Sequence, residues 1–224
     1  MKRTASTRRS PIHEALEQLQ PRWTQVSGMD VPLGFQSLEA ERALQKSLAL
    51  CDLSCLPKLG LKGPGLLAAT EAMGIAMPDS LYGCLSQDHG GWIIRVDQQE
   101  VLIEDGPDDR LVPSLEERMS APLPGVYPVR RQEASFLLSG EKSNLVLRET
   151  CGVDFSQPVQ AAVMTRVAGV SAMVLPVKPD GIGGFRFWLD ASYAAYLWEA
   201  LIEIVRDHGG EAIGLAAVYS LLEQ

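Results

Sequence analysis

The groups best able to do chemistry in this chain are three histidines and four cysteines, and their spacing argues against the simple uses of each. No serine lies in a Gly-x-Ser-x-Gly elbow, so a nucleophilic serine has no supporting turn. His13 falls in a helical pattern, His89 sits in Asp88-His89-Gly90-Gly91, and His208 precedes Gly209-Gly210. His208 therefore suits a cation at a helix C-terminus, and His89 a hairpin turn. Cys51, Cys55, Cys84 and Cys151 form no Cys-x-x-Cys pair and have no histidine at zinc-finger spacing. Buried free thiols are expected, and no metal. Gly181-Ile182-Gly183-Gly184 is not a dinucleotide fingerprint, because a strand and not a helix follows it.

The elements around these residues repeat. Leu59-Gly60-Leu61-Lys62-Gly63-Pro64 reads as a strand entering a helix that carries Leu66, Leu67, Ala69 and Ala72 and stops at Gly74. Phe136-Leu137-Leu138-Ser139-Gly140-Glu141 does the same 77 residues later, starting a helix with Leu145, Val146 and Leu147 that ends at Gly152. A second pair follows at an offset of 85. Val101 to Asp105 leads into a helix through Leu111, Leu115 and Met119, and Phe185 to Asp190 leads into one through Tyr193, Leu197, Leu201 and Ile204.

Trp92 to Val96 is a further strand, and Ala162 to Val177 reads as a hairpin turning near Gly169. Such a hairpin requires antiparallel pairing, so the fold class is α+β, with two similar lobes of mixed or antiparallel sheet, flanking helices and a split βαβ order. A disordered tail over 1–10, a first lobe over 11–125 and a second over 126–224 are expected, joined through the Pro/Gly-rich Ser120 to Gly125. Ahead of the first repeat, Pro11 opens a short helix, 27–32 reads as a loop, and Ser37 caps a helix carrying Leu38, Leu44 and Leu48.

Composition narrows the class. The formal net charge of -8 argues against a nucleic-acid partner. No apolar run approaches the roughly 20 residues that span a bilayer, so no membrane partner is expected. Lys2, Arg3, Arg8 and Arg9 are followed by no apolar stretch, which leaves a solvated tail or a transit peptide as readings of the start. A cytoplasmic location is expected.

Taken together, Val31-Pro32, Glu39-Ala40-Glu41, Ala49-Leu50-Cys51-Asp52-Leu53-Ser54-Cys55 and Gly63-Pro64 resemble the aminomethyltransferase (T protein) family of the glycine cleavage system. Leu81-Tyr82 through Gly90-Gly91-Trp92-Ile93 is similar to that family's "N-E-D-G-G-I-I-D-D" hairpin, and Lys178-Pro179-Asp180-Gly181 through Phe185 to its folate loop. Tyr193 to Leu201 and Ile213-Gly214 resemble its closing helix and turn. The likeness runs from about Pro11 to the end, in one order.

The resemblance implies tetrahydrofolate as the cofactor, with Asp52, Tyr82, Lys178, Asp180, Gly181, Arg186 and Trp188 as candidate cofactor-binding residues. It also exposes departures. Ile94 and Arg95 stand where the family has paired aspartates, one of them catalytic, so no catalytic residue is assigned, and Asp97 is the candidate substitute, with Asp88 nearby. Arg186 replaces the glutamate that reads the pterin, offering donors alone where an acceptor was needed. Cys55 replaces a histidine.

The reading that follows is a catalytically degenerate, aminomethyltransferase-like protein of one-carbon metabolism. It would act as a folate-binding subunit or as an assembly subunit similar to the gamma subunit of heterotetrameric sarcosine oxidase. Larger flavoprotein subunits or glycine-cleavage-type proteins would then be its partners. An active tetrahydrofolate-dependent aminomethyltransferase and a non-folate structural or ligand-sensing protein are the alternatives.

Overall fold

A computed structural model describes residues 8–156 and 161–222, with Asp180 in its backbone alone. In chain order the first elements are β1 (Arg8–Arg9), α1 (His13–Glu17), β2 (Arg22–Val26), β3 (Met29–Gly34), α2 (Leu38–Ser47) and β4 (Ala49–Asp52). Next come β5 (Lys58–Lys62), α3 (Leu66–Ala72), β6 (Cys84–Ser86), β7 (Trp92–Asp97), β8 (Glu100–Glu104), α4 (Leu111–Arg118) and β9 (Tyr127–Arg130). The chain continues through β10 (Ala134–Ser139), α5 (Ser143–Thr150), β11 (Val163–Val167), β12 (Val170–Val177), β13 (Gly184–Leu189), α6 (Ala194–Asp207), β14 (Glu211–Ala212) and α7 (Leu215–Val218). The architecture is α+β, with several sheets flanked by helices and no closed barrel among the described residues.

Contacts divide the chain into two compact units: Met1–Cys55 with Glu133–Pro158 and Met164–Gln224, and Leu56–Gln132 with Val159–Val163. The division differs from contiguous lobes over 11–125 and 126–224. β4 pairs with β10 across the intervening segment, while β9 turns back onto β5.

The first unit is built on a sheet of order β11-β12-β13-β10-β4-β14. Ala194, Leu197, Trp198, Leu201, Ile202 and Val205 fall on one stripe of α6, at the spacing that turns a single helical face inward. That stripe and Val146 and Leu147 of α5 bury Phe136, Leu138, Val174 and Phe187. Trp198 meets Phe136 edge-on at 5.5 Å, a favoured aromatic geometry. A smaller sheet of order β1-β3-β2 holds the N-terminal segment.

The second unit is built on a sheet of order β6-β7-β8-β5-β9. Leu59, Leu61, Ile93, Val101 and Ile103 pack on Leu66 of α3 and on Val112 and Leu115 of α4. The two sheets share a plan, since β6-β7-β8-β5 corresponds to β11-β12-β13-β10 and each central strand leaves through a glycine into a helix. Gly63 and Gly140 occupy matching corners with φ of 136° and 106°, a region closed to other residues. A Cβ there would stand 2.1 Å from the Gly125 carbonyl oxygen or 2.4 Å from that of Ser47.

Two expectations need correction. The disordered tail cannot extend through residue 10, because Arg8–Arg9 pairs in parallel with Met29–Asp30 and Ser10 is buried; residues 1–7 lie outside the described set. Residues 27–32 are mostly strand and not loop. Ser27 and Gly28, both at positive φ, make a two-residue turn, and Pro32 is tolerated in β3 because β1 pairs with Met29 and Asp30 and stops short of it. The turn at Ala168-Gly169, the helix capped by Ser37 and both strand–glycine–helix passages stand where the pattern places them.

Candidate functional site

Strand register decides which candidate residues can work together. In the first unit, Asp52, Phe136 and Phe187 lie in one cross-strand row, on the face covered by α5 and α6. Cys51, Leu137, Arg186 and Leu175 form the next row, so their side chains emerge on the opposite face. Asp52 and Arg186 are therefore separated by the sheet itself.

Asp52 sits at the end of β4 and holds the local backbone. Its carboxylate accepts the Ser10 hydroxyl, the Ser54 amide at 2.9 Å and the Ser54 hydroxyl at 2.6 Å. Ser54 Oγ in turn accepts the Ser135 amide at 3.1 Å, and the Ser135 hydroxyl donates to the Leu53 carbonyl at 2.9 Å. This network pins the N-terminal segment and β10 to β4.

Arg186 and Trp188 are brought together. They are two residues apart on β13, share a face, and place the guanidinium carbon 5.5 Å from the indole centre, both about 3% exposed. Such stacking of a desolvated cation on tryptophan is favourable. Lys178 and Gly181 lie in the connection between β12 and β13, with Gly181 at φ 82° and open space around it, while the Asp180 side chain lies outside the described residues.

In the second unit, Ile94 falls in the row Cys84, Ile94, Leu102, Gly60, Val129, on the face turned away from α3 and α4. It is fully buried. Arg95 points the other way at the sheet margin, and its guanidinium donates to the carbonyls of Pro78 at 3.3 Å, Asp79 at 3.1 Å and Gln98 at 3.2 Å. Tyr82 takes a left-handed φ of 58° and donates its amide to the Arg95 carbonyl at 2.7 Å. Asp97, the last residue of β7, is exposed, and its carboxylate accepts the Gln98 amide. Asp88 is exposed at the tip of the hairpin formed by β6 and β7.

The same helix-free face of this unit carries charges that the sequence reading did not single out. Lys58, at the start of β5, pairs with Glu104, at the end of β8, at 3.2 Å, with side chains 2% and 0% exposed. Lys58 also donates to the Leu56 carbonyl at 3.0 Å. At the other end of these strands, Glu100 is shared between Lys62 at 2.8 Å and Arg131. Gly60 makes room for Arg131, whose Nε would lie 2.7 Å from a Cβ at that position.

Cys51 and Cys84 are not poised for nucleophilic work. Burial, with Asp52 as the next cause, pushes Cys51 well above the ordinary thiol range, and burial pushes Cys84 to about 11. Among the described residues no cluster of three potential ligands could hold a metal ion. No helix of the described residues is long and apolar enough to cross a membrane. Ile94 and Arg95 thus offer a buried apolar side chain and a guanidinium bound to backbone carbonyls, neither of them a general acid or base.

Comparison with known proteins gives a consistent picture. The profile of the GCVT N-terminal domain matches residues 12–223. The aminomethyltransferase of Saccharopolyspora erythraea is 25% identical over 227 residues, covering 95% of this chain and 62% of its own. That of Symbiobacterium thermophilum is 26% identical over 233 residues, with the same coverage. The chain thus spans 62% of the length of these curated relatives. Among solved structures, the glycine cleavage system aminomethyltransferase T of Bartonella henselae superposes with a TM-score of 0.73 at 17% identity, over 95% of this chain and 61% of that one. A chain of the heterotetrameric sarcosine oxidase of Corynebacterium sp. U-96 superposes with a TM-score of 0.64 at 18% identity, over 92% and 98%. At these identities the two structures establish the fold.

Proposed function

Because the chain belongs to the GCVT N-terminal domain family, we propose that it is a catalytically degenerate, aminomethyltransferase-like member whose scaffold serves as an assembly subunit. The observation that carries this reading is the hairpin of β6 and β7. A carboxylate there would move a proton and stabilise a cationic one-carbon intermediate. Ile94 is instead an apolar side chain that is fully buried, and Arg95 spends its guanidinium on three backbone carbonyls. Asp97 is a poor replacement, since it is exposed and bonded to its own turn.

Folate recognition is altered in the same direction. The position that resembles the pterin-reading glutamate holds Arg186, buried against Trp188 and unable to accept a hydrogen bond. Asp52, the one candidate carboxylate at a buried strand end, is engaged by Ser10 and Ser54 on the other face of the sheet. The partners in this reading are larger, flavin-bearing subunits, by analogy with the heterotetrameric oxidase to which the fold is similar.

The deciding experiment titrates the purified protein with tetrahydrofolate in a calorimeter, then assays one-carbon transfer from an aminomethyl donor. The expected result is no turnover and no binding, with co-purification of a flavin-containing protein identified by its absorbance. Micromolar binding without turnover would make the chain a folate-binding subunit instead. Turnover at ordinary enzymatic rates would overturn the reading.

A further inference from the structure

We propose that Asp105 is a proton-operated catch that holds the segment between β8 and α4 closed against the tip of the β6–β7 hairpin. The side chain is 0% exposed, directly after the buried Glu104 of the ion pair with Lys58. Its backbone amide donates to the Pro57 carbonyl at 2.9 Å, which fixes the start of the segment to the residue just before β5. Oδ2 accepts the Val112 amide at 3.0 Å, whereas Oδ1 is buried with no hydrogen-bond partner. Arg110, the residue before α4, supplies no side-chain cap, so this long-range bond does the capping of the helix start.

The geometry makes the carboxyl sensitive to its proton. An ionised carboxylate at this depth has one protein donor for its two oxygens, a costly state that opening of the segment relieves. Burial is the main cause that raises the group to about 6, aided by the like charges of Asp109 and Glu104 and opposed by the Val112 amide and by Arg110. Lys58, on the adjacent strand, faces Glu104. From the hairpin tip, the titratable neighbours are Asp88 and His89.

That tip is what the catch holds. A Cβ at Gly106 would sit 1.9 Å from the His89 carbonyl oxygen, and one at Gly91 would sit 2.6 Å from that of Glu104. Only bare backbone allows the two segments to lie this close. Asp109 reinforces the closed form by accepting the Gly106 amide at 2.7 Å.

The sign follows from linkage. The closed form binds the proton more tightly than an open, hydrated Asp105 at the ordinary value of 3.8, so closure strengthens as pH falls from about 6 toward 3.8, and that gain is lost as pH rises through about 6. With these two values, opening increases about tenfold between pH 5 and pH 7.

Hydrogen exchange of the full chain, corrected for the intrinsic rate, tests this on the amides of 105–112. The wild type should open about tenfold more at pH 7 than at pH 5. Asp105→Asn should remove that dependence and protect the segment at pH 7 as the wild type is protected at pH 5. A carbon-13 titration of the wild-type Asp105 carboxyl tests the same point without a variant, with a midpoint near 6 expected. A midpoint below about 4.5, or a pH dependence that persists in Asp105→Asn, would overturn the proposal.

Discussion

Replacing Lys58 by methionine isolates the energetics of the buried ion pair. The two charges are 3.2 Å apart, with side chains 2% and 0% exposed. At an effective dielectric constant of about 20 their attraction is about 5 kcal/mol, most of it offset by the desolvation of each ion. Lys58→Met removes the attraction and leaves the desolvation of Glu104 in place, so it should cost about 3–5 kcal/mol. The double variant Lys58→Met, Glu104→Leu removes both charges and keeps the volume, so it should return to within about 1–2 kcal/mol of the wild type. Urea unfolding followed by tryptophan fluorescence provides the measurement, with the single Glu104→Leu variant completing the cycle. A coupling energy below about 1 kcal/mol would refute the reasoning, because that is the range of a hydrated surface pair.

Three further outcomes are expected. Gly140→Ala should destabilise by at least about 2 kcal/mol, since φ is 106° and the new Cβ would stand 2.4 Å from the Ser47 carbonyl oxygen; an unchanged thermal midpoint would be inconsistent with that corner. Arg95→Met should cost about 0.5–1.5 kcal/mol, since water can replace its donors at the exposed Asp79 and Gln98 carbonyls, and exchange should quicken at residues 78–82. At pH 7 Cys84 should alkylate about 300-fold more slowly than a free thiol, because burial holds it at about 11, and a rate within tenfold of the free thiol would contradict this.

Local pattern carried much of the fold. Each strand–glycine–helix passage announced itself through an alternating run, a glycine and a helical stripe, all within a dozen or so residues. The turn at Gly169 and the cap at Ser37 were equally local. What failed depended on distant partners. Arg8–Arg9 has no strand signature of its own and is extended because β3 offers it a pairing edge. Asp52 and Arg186 could be grouped as one binding site only while register was unknown; a shift of one residue between rows puts them on opposite faces.

The buried charges show a signal that was present and unread. Lys58 and Lys62 bracket one short apolar run, and Glu100 and Glu104 bracket another of the same length. Antiparallel pairing of those two runs matches lysine to glutamate at both ends. Charge alternation alone could not reveal that one of the two matches would be sealed from water.

The pairing of β4 with β10 and β14 also governs how this protein is born. Ribosomes release the chain in order, so β5 to β9, which lie within the 56–132 segment, can pair with one another before β10 exists. β4 has been outside the tunnel all that time, an apolar strand with neither neighbour made. Its parallel partner Glu211–Ala212 follows Asp52 by 159 residues, which at about 5–20 residues per second is roughly 8–30 s of translation. For that interval the exposed edge of β4 is a target for chaperones and for the same strand on neighbouring nascent chains.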